Sequence, residues 1–223
     1  MNFCYLTPFA TQFTILVCNS KERGKPMKFS THPWRSILGG LTGVLLATAA
    51  YAAAPHEAPM RDFASSTVAG WISNPMVVEA VKAQNDKHAN LSQDEIDKLD
   101  KQWRAETNTS DRPLIDAVLA KELSKFLLEA KNGTQGLVTE VFVMDNKGLN
   151  VGQSDVTSDY WQGDEAKWKK TFLAGPDGLF IDEIEQDEST QTFQSQLSMS
   201  IVDPATGKVI GAITVGVNVD TLM

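Results

Sequence analysis

Residues 157–168 of this 223-residue chain read TSDYWQGDEAKW and combine side chains that could bind or transform a small molecule. The carboxylates of Asp159, Asp164 and Glu165 lie among Tyr160 and two tryptophans, in a chain of which only 8% is aromatic. Aromatic faces and carboxylates together can hold an amine, with roughly 0.5 to 2 kcal/mol for each cation–π contact. Paired carboxylates can also act as acid and base. The alternative is that the segment covers a hydrophobic core.

Other residues typical of catalytic sites are scarce. Cys4 and Cys18 both precede residue 53, so the chain beyond that point has no thiol for a disulfide or a metal site. Of its histidines, His56 falls in a leader expected to lack structure and His88 in a polar region between helices, and no pair has zinc-ligand spacing. The acidic run 182–188 lacks the pattern of an EF-hand loop. We therefore predict neither an enzyme nor a metal or cofactor site.

The N-terminal residues read as a targeting segment. Two basic residues precede an apolar run, residues 37–50, and small residues follow it. This is the pattern of a secretory signal peptide, so we expect residues 27–52 to be removed by cleavage after Ala52. Residues 1–26 are expected to be an extension that precedes the natural beginning of the signal peptide at Met27. The expected location is the periplasm, and an uncleaved anchor and a lipid on Cys18 are the alternatives to this cleavage.

The mature chain, residues 53–223, would be strongly acidic. It has 15 basic and 27 acidic residues, a formal net charge of −12, against −8 for the whole sequence. Such a surface repels the phosphates of nucleic acids and anionic lipids, so we expect no nucleic-acid partner. A length of about 170 residues suits one domain.

The first part of this domain, residues 61–132, has the spacing of helices. Helices are predicted over residues 63–72 and 75–84, and a third begins with the capping box SQDE at residues 92–95 and runs to about residue 106. Pro113 suits a first turn, and apolar residues follow it at three- and four-residue spacing. One amphipathic helix is therefore predicted from Pro113 to residue 132.

The second part, residues 136–222, has the period-two pattern of strands. "LVTEVFVMD" and "LNVGQSD" flank a turn at Asp145–Gly148 and predict a hairpin. A short helical crossover through "DEAKWKK" leads to a strand at about residues 179–185 and then to a second hairpin, turned by "DPATG". The predicted class is α+β, with the N-terminal helices packed on one side of a five-stranded antiparallel sheet.

The residue pattern of the last strand predicts open space on one face of this sheet. Large β-branched residues alternate from Ile213 to Val219, and the positions between them hold Thr214, Gly216 and Asn218. Small side chains on a strand leave room for another group to approach. A solvated face is the alternative.

Three segments of the sheet part together carry a family resemblance. They are "EVFVMDNKGLNVGQSD", "SDYWQGDEAKW" and "DPATGKVIGAITVGVNV". In this order and spacing the chain, over about residues 62–222, resembles the extracytoplasmic Cache, or PDC, sensor domains. The resemblance implies a PAS-like sheet preceded by a long helix, with a small ligand beneath the connection between the second and third strands. The candidate ligand-binding residues that it implies are Asp159, Tyr160, Trp161, Asp164 and Asn218.

The ligand class is predicted from what this segment lacks. Amino-acid-binding members of the family carry an aspartate near the position of Asn218 and an arginine before their aromatic pair, and this chain has neither. Carboxylate ligands are usually held by the guanidinium fork, and the arginines beyond residue 52, Arg61, Arg104 and Arg112, fall in the helical part. We therefore expect a cationic or neutral ligand.

Some of these residues also have a purely structural interpretation. Trp168 and Phe172 have helical spacing, so they could fix a helix onto the sheet. Asp159 and Asp164 suit turn and cap positions.

The predicted function is that of a freestanding periplasmic sensor module. The sequence stops at Met223, soon after the last strand, so the module is expected to signal through a membrane receptor or a sensor kinase. The alternative is an envelope interaction or assembly protein that uses a PAS-like sheet for docking and has no small ligand.

Overall fold

A computed structural model of the protein describes residues 54–186 and 192–223. The predicted extension and signal peptide, residues 1–52, lie outside the described residues, as do both cysteines and part of the acidic run. Within the two described ranges, every helix is too short or too polar to cross a membrane.

The helical part opens with one continuous helical segment, in which a π-helical turn lies between two α-helices. Its members are α1 (Glu57–Phe63), the π-helical turn (Ala64–Val68) and α2 (Ala69–Ile72). Four further helices follow, namely α3 (Pro75–Lys87), α4 (Gln93–Glu106), α5 (Pro113–Leu119) and α6 (Glu122–Gly133). The predicted helices over 63–72, 75–84 and 92–106 are confirmed.

Side chains fix the beginnings of α4 and α5. Ser92 and Glu95 form the predicted capping box, in which the Ser92 amide donates to the Glu95 carboxylate at 2.8 Å. The carboxylate of Glu106, at the end of α4, accepts from the backbone amides of Leu114 and Ile115 at 2.8 and 3.0 Å. Two unpaired amides of the first turn of α5 are thereby satisfied by the preceding helix.

The single helix predicted over residues 113–132 is wrong, because the chain breaks between α5 and α6. Lys121 has an extended backbone, with φ −64° and ψ 148°. Its ammonium group donates to the side-chain oxygen of Gln84 and to the carbonyl oxygen of Val151, at 3.0 and 2.8 Å. These partners lie far away in the sequence, so the local apolar spacing does not reveal the break.

Among the described residues, the sheet part contains six strands, all paired antiparallel. They are β1 (Val138–Met144), β2 (Asn150–Gln153), β3 (Leu179–Ile181), β4 (Glu185–Gln186), β5 (Phe193–Val202) and β6 (Val209–Asn218). Their order is β2-β1-β6-β5-β3, and β4 pairs with β5 beyond the end of β3. The predicted α+β class with an antiparallel PAS-like sheet is confirmed. The strand predicted at 179–185 is interrupted and forms β3 and β4.

The β1–β2 hairpin has the predicted turn. The buried Asp145 carboxylate accepts from the amides of Lys147 and Leu149 at 2.8 and 2.9 Å. Gly148 has φ +83°, a conformation that side chains other than glycine rarely adopt.

The main hydrophobic core lies between the helices and one face of the sheet. Val141 and Val143 of β1 and Ile213, Val215 and Val217 of β6 are almost fully buried there. The helices contribute Met60, Phe63, Val77, Val81, Leu123 and Leu127. A second cluster joins α4 and α5 to the segment after β2, and its members include Ile96, Trp103, Ile115, Leu149 and Tyr160.

Both histidines of the described residues are buried. His88 lies between α3 and α4 as predicted, but the expectation that His56 falls in a leader without structure was wrong. His56 is 4% exposed, and its Nε2 donates to the carbonyl oxygen of Asp182 at 3.2 Å, because α1 begins directly after it and holds it in the fold. His88 is 7% exposed, and its Nδ1 lies 2.9 Å from the Asp145 carboxylate beneath the hairpin turn.

Candidate functional site

The crossover, residues 154–178, covers the face of the sheet opposite the helices, here called the crossover face. It contains α7 (Ala166–Lys169) and a 3₁₀ turn (Phe172–Ala174). Trp168 of α7 packs on Phe142 and Ala212, and its indole nitrogen donates to the Asp145 carbonyl at 3.1 Å. The predicted role of Trp168 in fixing a helix onto the sheet is thus seen directly, and its ring stacks on Phe172 at 4.7 Å.

The end of the crossover is fixed to β5. The carbonyl oxygens of Thr171 and Gly175 accept the hydrogen bond of the buried Ser200 hydroxyl, at 3.0 and 2.8 Å. Gly178 approaches the same serine and threonine so closely that a Cβ atom would not fit. At these residues the crossover therefore lies directly against β5.

The other half leaves two neighbouring cavities on the crossover face. The inner cavity, of about 90 Å³, is lined by Glu140, Phe142, Thr157, Ser158, Gln162, Lys167 and Gln196. The outer cavity, of about 190 Å³, is lined by Glu165, Lys167, Asp182, Glu183, Glu185, Gln194 and Gln196. Lys167 and Gln196 line both, so the two cavities adjoin.

Hydrogen bonds orient the polar groups at this junction. The amide of Gln196 donates to the Glu140 carboxylate at 3.0 Å. The ammonium group of Lys167 lies 2.8 Å from the Glu165 carboxylate, 3.3 Å from the Gln162 side-chain oxygen and 5.5 Å from the centre of the Phe142 ring. With 13% of its side chain exposed, Lys167 is a partly buried cation that these groups stabilise.

Carboxylates outnumber cations around the two cavities. Among the described residues, Lys167 is the single cationic side chain of their linings, and the carboxylates are those of Glu140, Glu165, Asp182, Glu183 and Glu185. The resulting field attracts cations and repels anions. Within the described residues, no three histidine, cysteine or acidic side chains converge to hold a metal ion.

The small residues of β6 do not leave open space. Trp168 occupies the position above Ala212, and the side chains of Thr139 and Glu140 lie against Gly216. The Thr214 hydroxyl is fully buried and lies 2.9 Å from that of Ser198. The space predicted from β6 is thus filled by the protein itself, and the cavities lie over β1 and β5.

Tyr160 faces α4. It is 4% exposed and stacks on Trp103 with 5.2 Å between ring centres. Burial, the larger cause, and the nearby charge of Asp145 raise the pKa of the Tyr160 hydroxyl. The backbone amide of Tyr160 donates to the Asp100 carboxylate at 3.0 Å, which fixes this point of the crossover to the helix.

Asp159 binds an arginine of the helical part. Its carboxylate lies 2.6 Å from the Arg104 guanidinium, which also donates to Asp100 at 2.8 Å. The hydrogen bond to Asp100 is the main cause that raises the pKa of Arg104. Arg104 therefore reaches the aromatic segment, but two carboxylates already neutralise it there.

The remaining candidate residues lie apart from one another. Trp161 donates from its indole nitrogen to the Lys147 carbonyl at 2.8 Å. Asp164 is exposed and does not cap α7, since Glu165 takes the cap position without a side-chain bond. Asn218 accepts from the Thr221 amide at 3.1 Å and caps α8 (Val219–Leu222).

The structure thus brings Asp159, Tyr160 and Trp161 together against α4, but not with Asn218. None of the five candidates lines the inner or the outer cavity. Their contact with a ligand stays a prediction.

The residues that do line the inner cavity are inconspicuous in the sequence. They include Glu140, Gln162, Lys167 and Gln196, none of which belongs to the predicted site. One signal was present, because polar residues alternate along β5 from Gln194 to Ser200 and mark the polar face of a strand.

Comparison with known proteins gives similar solved structures only, since no family model and no curated protein matches the chain. The ligand-binding domain of the Campylobacter jejuni chemoreceptor Tlp3, in complex with 4-methylisoleucine, is 16% identical, with a TM-score of 0.35, over 75% of this chain and 61% of that one. The sensor domain of the V. cholerae histidine kinase DctB is 13% identical, with a TM-score of 0.34, over 75% and 56%. The E. coli DcuS sensor domain is 16% identical, with a TM-score of 0.33, over 56% and 92%.

These neighbours are sensor domains of the Cache type that the sequence resembles. The chain spans 61% of the Tlp3 domain and 56% of the DctB domain. At such identities and TM-scores the likeness does not indicate what this chain binds.

Proposed function

We propose that this chain is an extracytoplasmic sensor module that binds a small cationic or neutral molecule between the sheet and the crossover. The observation that carries the proposal is the pair of adjoining cavities on the crossover face, with their excess of carboxylates. A water molecule takes about 30 Å³, so the inner and outer cavities suit a small ligand.

The lining residues have distinct roles in this proposal. The Glu140 carboxylate would accept from an ammonium group, and the Gln162 and Gln196 amides would contact hydroxyl or amide groups. Phe142 offers an aromatic face that already lies near one cation, Lys167. A ligand ammonium group could replace that of Lys167 above this ring.

Signalling would follow from a shift between two positions of the crossover. A ligand favours the arrangement that it binds more tightly. The partner that reads this arrangement would be a membrane receptor or a sensor kinase. The periplasmic location rests on the signal peptide predicted at residues 27–52, and N-terminal sequencing of the exported protein would test it.

A thermal-shift screen tests the ligand class. Putrescine, spermidine, neutral and acidic amino acids, and succinate would be compared at equal concentration. A ligand at about 100 times its Kd adds about 2.7 kcal/mol to the free energy of unfolding, or roughly 5 to 10 °C in Tm. We expect amines or neutral molecules to raise Tm. If only the acids do so, the proposed ligand class is wrong.

Matched variants test the position of the site. Glu140→Gln removes one negative charge from the inner cavity, and Glu129→Gln removes one from an exposed position of α6. For a cationic ligand we expect at least about a tenfold weaker affinity in Glu140→Gln, since a charged hydrogen bond contributes about 1.5 to 3 kcal/mol. The affinity of Glu129→Gln should not change. Equal effects of both variants would place the ligand elsewhere.

A further inference from the structure

A third cavity lies on the helical side of the protein, between α3 and α6. It has a volume of about 350 Å³ and shares no lining residue with the inner and outer cavities. Small-molecule sites usually measure about 300 to 1,000 Å³. Its apolar wall consists of Met76, Ala80, Ala83, Leu123 and Val151.

Lys121 lines this cavity without a carboxylate partner among the described residues. Its ammonium group donates to two neutral acceptors, the Gln84 side-chain oxygen at 3.0 Å and the Val151 carbonyl at 2.8 Å. The Gln84 amide nitrogen donates to the Asp145 carboxylate at 3.1 Å and to the Asn150 carbonyl at 3.2 Å, so the side-chain oxygen is turned towards Lys121. A lysine ammonium has three donors, and the third has no acceptor in the described parts of the chain.

A second cation faces the same space. Lys87 of α3 also lines the cavity, is exposed, and forms no ion pair with any described residue. Burial, the larger cause, and the charge of Lys87 lower the pKa of Lys121 to about 8. The carboxylate in the lining, Glu122, is already held by Lys125 at 2.7 Å. Within the described residues, the cavity is therefore lined by two cations that form no ion pair, on a strongly acidic protein.

We propose that this cavity binds a small organic anion with an apolar chain, such as a short carboxylic acid. Its carboxylate would lie between Lys87 and Lys121 and accept the third donor of Lys121. Its chain would pack on Ala80 and Leu123, with the exposed Met76 at the opening. The site is separate from the one on the crossover face, and the proposal does not depend on that function.

Isothermal titration of the purified protein with matched probes tests the ligand class. Hexanoate, hexanol and hexylamine share one chain and differ only in charge. We expect hexanoate to bind at least about tenfold more tightly than the others, because a charged hydrogen bond contributes about 1.5 to 3 kcal/mol. Equal affinity for hexanol would show an apolar groove without anion specificity and would overturn the proposal. So would the absence of hexanoate binding at millimolar concentration.

The proton balance gives a second readout. The charged groups near Lys121 are Lys87 on α3, Glu122 on α6, and Asp145 with its partner His88 beneath the hairpin turn. An anion favours the charged form of Lys121, so near pH 8 about half a proton should be taken up per bound hexanoate. Titration in two buffers of different ionisation enthalpy measures this uptake. Binding without proton uptake at any pH between about 7 and 10 would exclude contact with Lys121.

Variants locate the site. Lys121→Gln and Lys87→Gln should each weaken hexanoate binding at least about tenfold, and Lys98→Gln, at an exposed position of α4, should not. Lys87 has no partner in the described residues, so its variant should fold even if Lys121→Gln does not. Unchanged binding in Lys87→Gln would overturn the proposal. Glu140→Gln should leave hexanoate binding intact, which separates this site from the inner cavity.

Discussion

Replacing Asp100 with alanine should release the crossover from the helical part. One oxygen of this carboxylate accepts from the backbone amides of Tyr160 and Trp161, at 3.0 and 3.1 Å. The other accepts from Arg104 at 2.8 Å. Asp100 is thus the acidic group that joins α4 to the aromatic segment of the crossover.

The expected loss follows from the amides left without an acceptor. A buried unpaired N–H group costs about 1 to 3 kcal/mol. The Tyr160 amide is buried and the Trp161 amide is partly buried. The loss of both hydrogen bonds should therefore lower the free energy of unfolding by about 2 to 4 kcal/mol. The side chain of Arg104 is 57% exposed, so loss of its ion pair adds little. For a domain of this size, Tm should fall by about 5 to 15 °C.

Thermal and urea unfolding followed by circular dichroism would measure the change. Asp97→Ala is the matched control, because Asp97 is exposed on the same helix and binds only the Gln93 side chain among the described residues, at 2.8 Å. It should cost less than about 0.5 kcal/mol. Asp100→Asn keeps an acceptor oxygen, so its loss of stability should lie between those of Asp100→Ala and Asp97→Ala. If Asp100→Ala costs no more than Asp97→Ala, the crossover is not held by this carboxylate.

Three further changes test other parts of the structure. Gly148→Ala places a Cβ against the crossover backbone at φ +83° and should cost about 1 to 3 kcal/mol in urea unfolding, whereas Gly70→Ala, in open space on α2, should be neutral or stabilising. Trp168→Ala should cost about 2 to 4 kcal/mol, and a small ligand of the inner cavity should then bind more weakly, which titration would show. Stability should rise between about pH 8 and 10, because the unfolded protein then binds more protons than the folded protein, in which Lys121 has a pKa of about 8. Unfolding curves of Lys121→Met should lack this rise, and above pH 10 the raised pKa of Tyr160 acts in the opposite direction.

Local patterns sufficed for the fold class and for several element boundaries. The capping box at Ser92 and the turn at Asp145–Gly148 depend on residues close together in the sequence, and both are present as predicted. The alternation along β6 likewise identified the face that packs on the helices. Strand order and the break before α6 depend on distant partners, so they could not be predicted in this way.

The candidate site was harder to predict. The aromatic and acidic composition of the crossover is visible in the sequence, but the side towards which its side chains turn is not. The aromatic and acidic residues of the crossover turn towards α4, where Asp100, Trp103 and Arg104 bind them. No local spacing reveals these long-range bonds. The less conspicuous Lys167 and Gln162 turn towards the sheet instead.

Helix α4 holds the crossover by side-chain contacts at three successive points. Trp103 of α4 donates its indole N–H to the Thr157 carbonyl at 2.8 Å, Arg104 pairs with Asp159, and Asp100 holds the next two amides. A molecule that displaced these crossover residues away from the sheet would have to break their hydrogen bonds to α4 or move α4 outwards. A partner protein that bound the exposed side of α4 could then detect this movement, although the molecule that caused it would lie elsewhere.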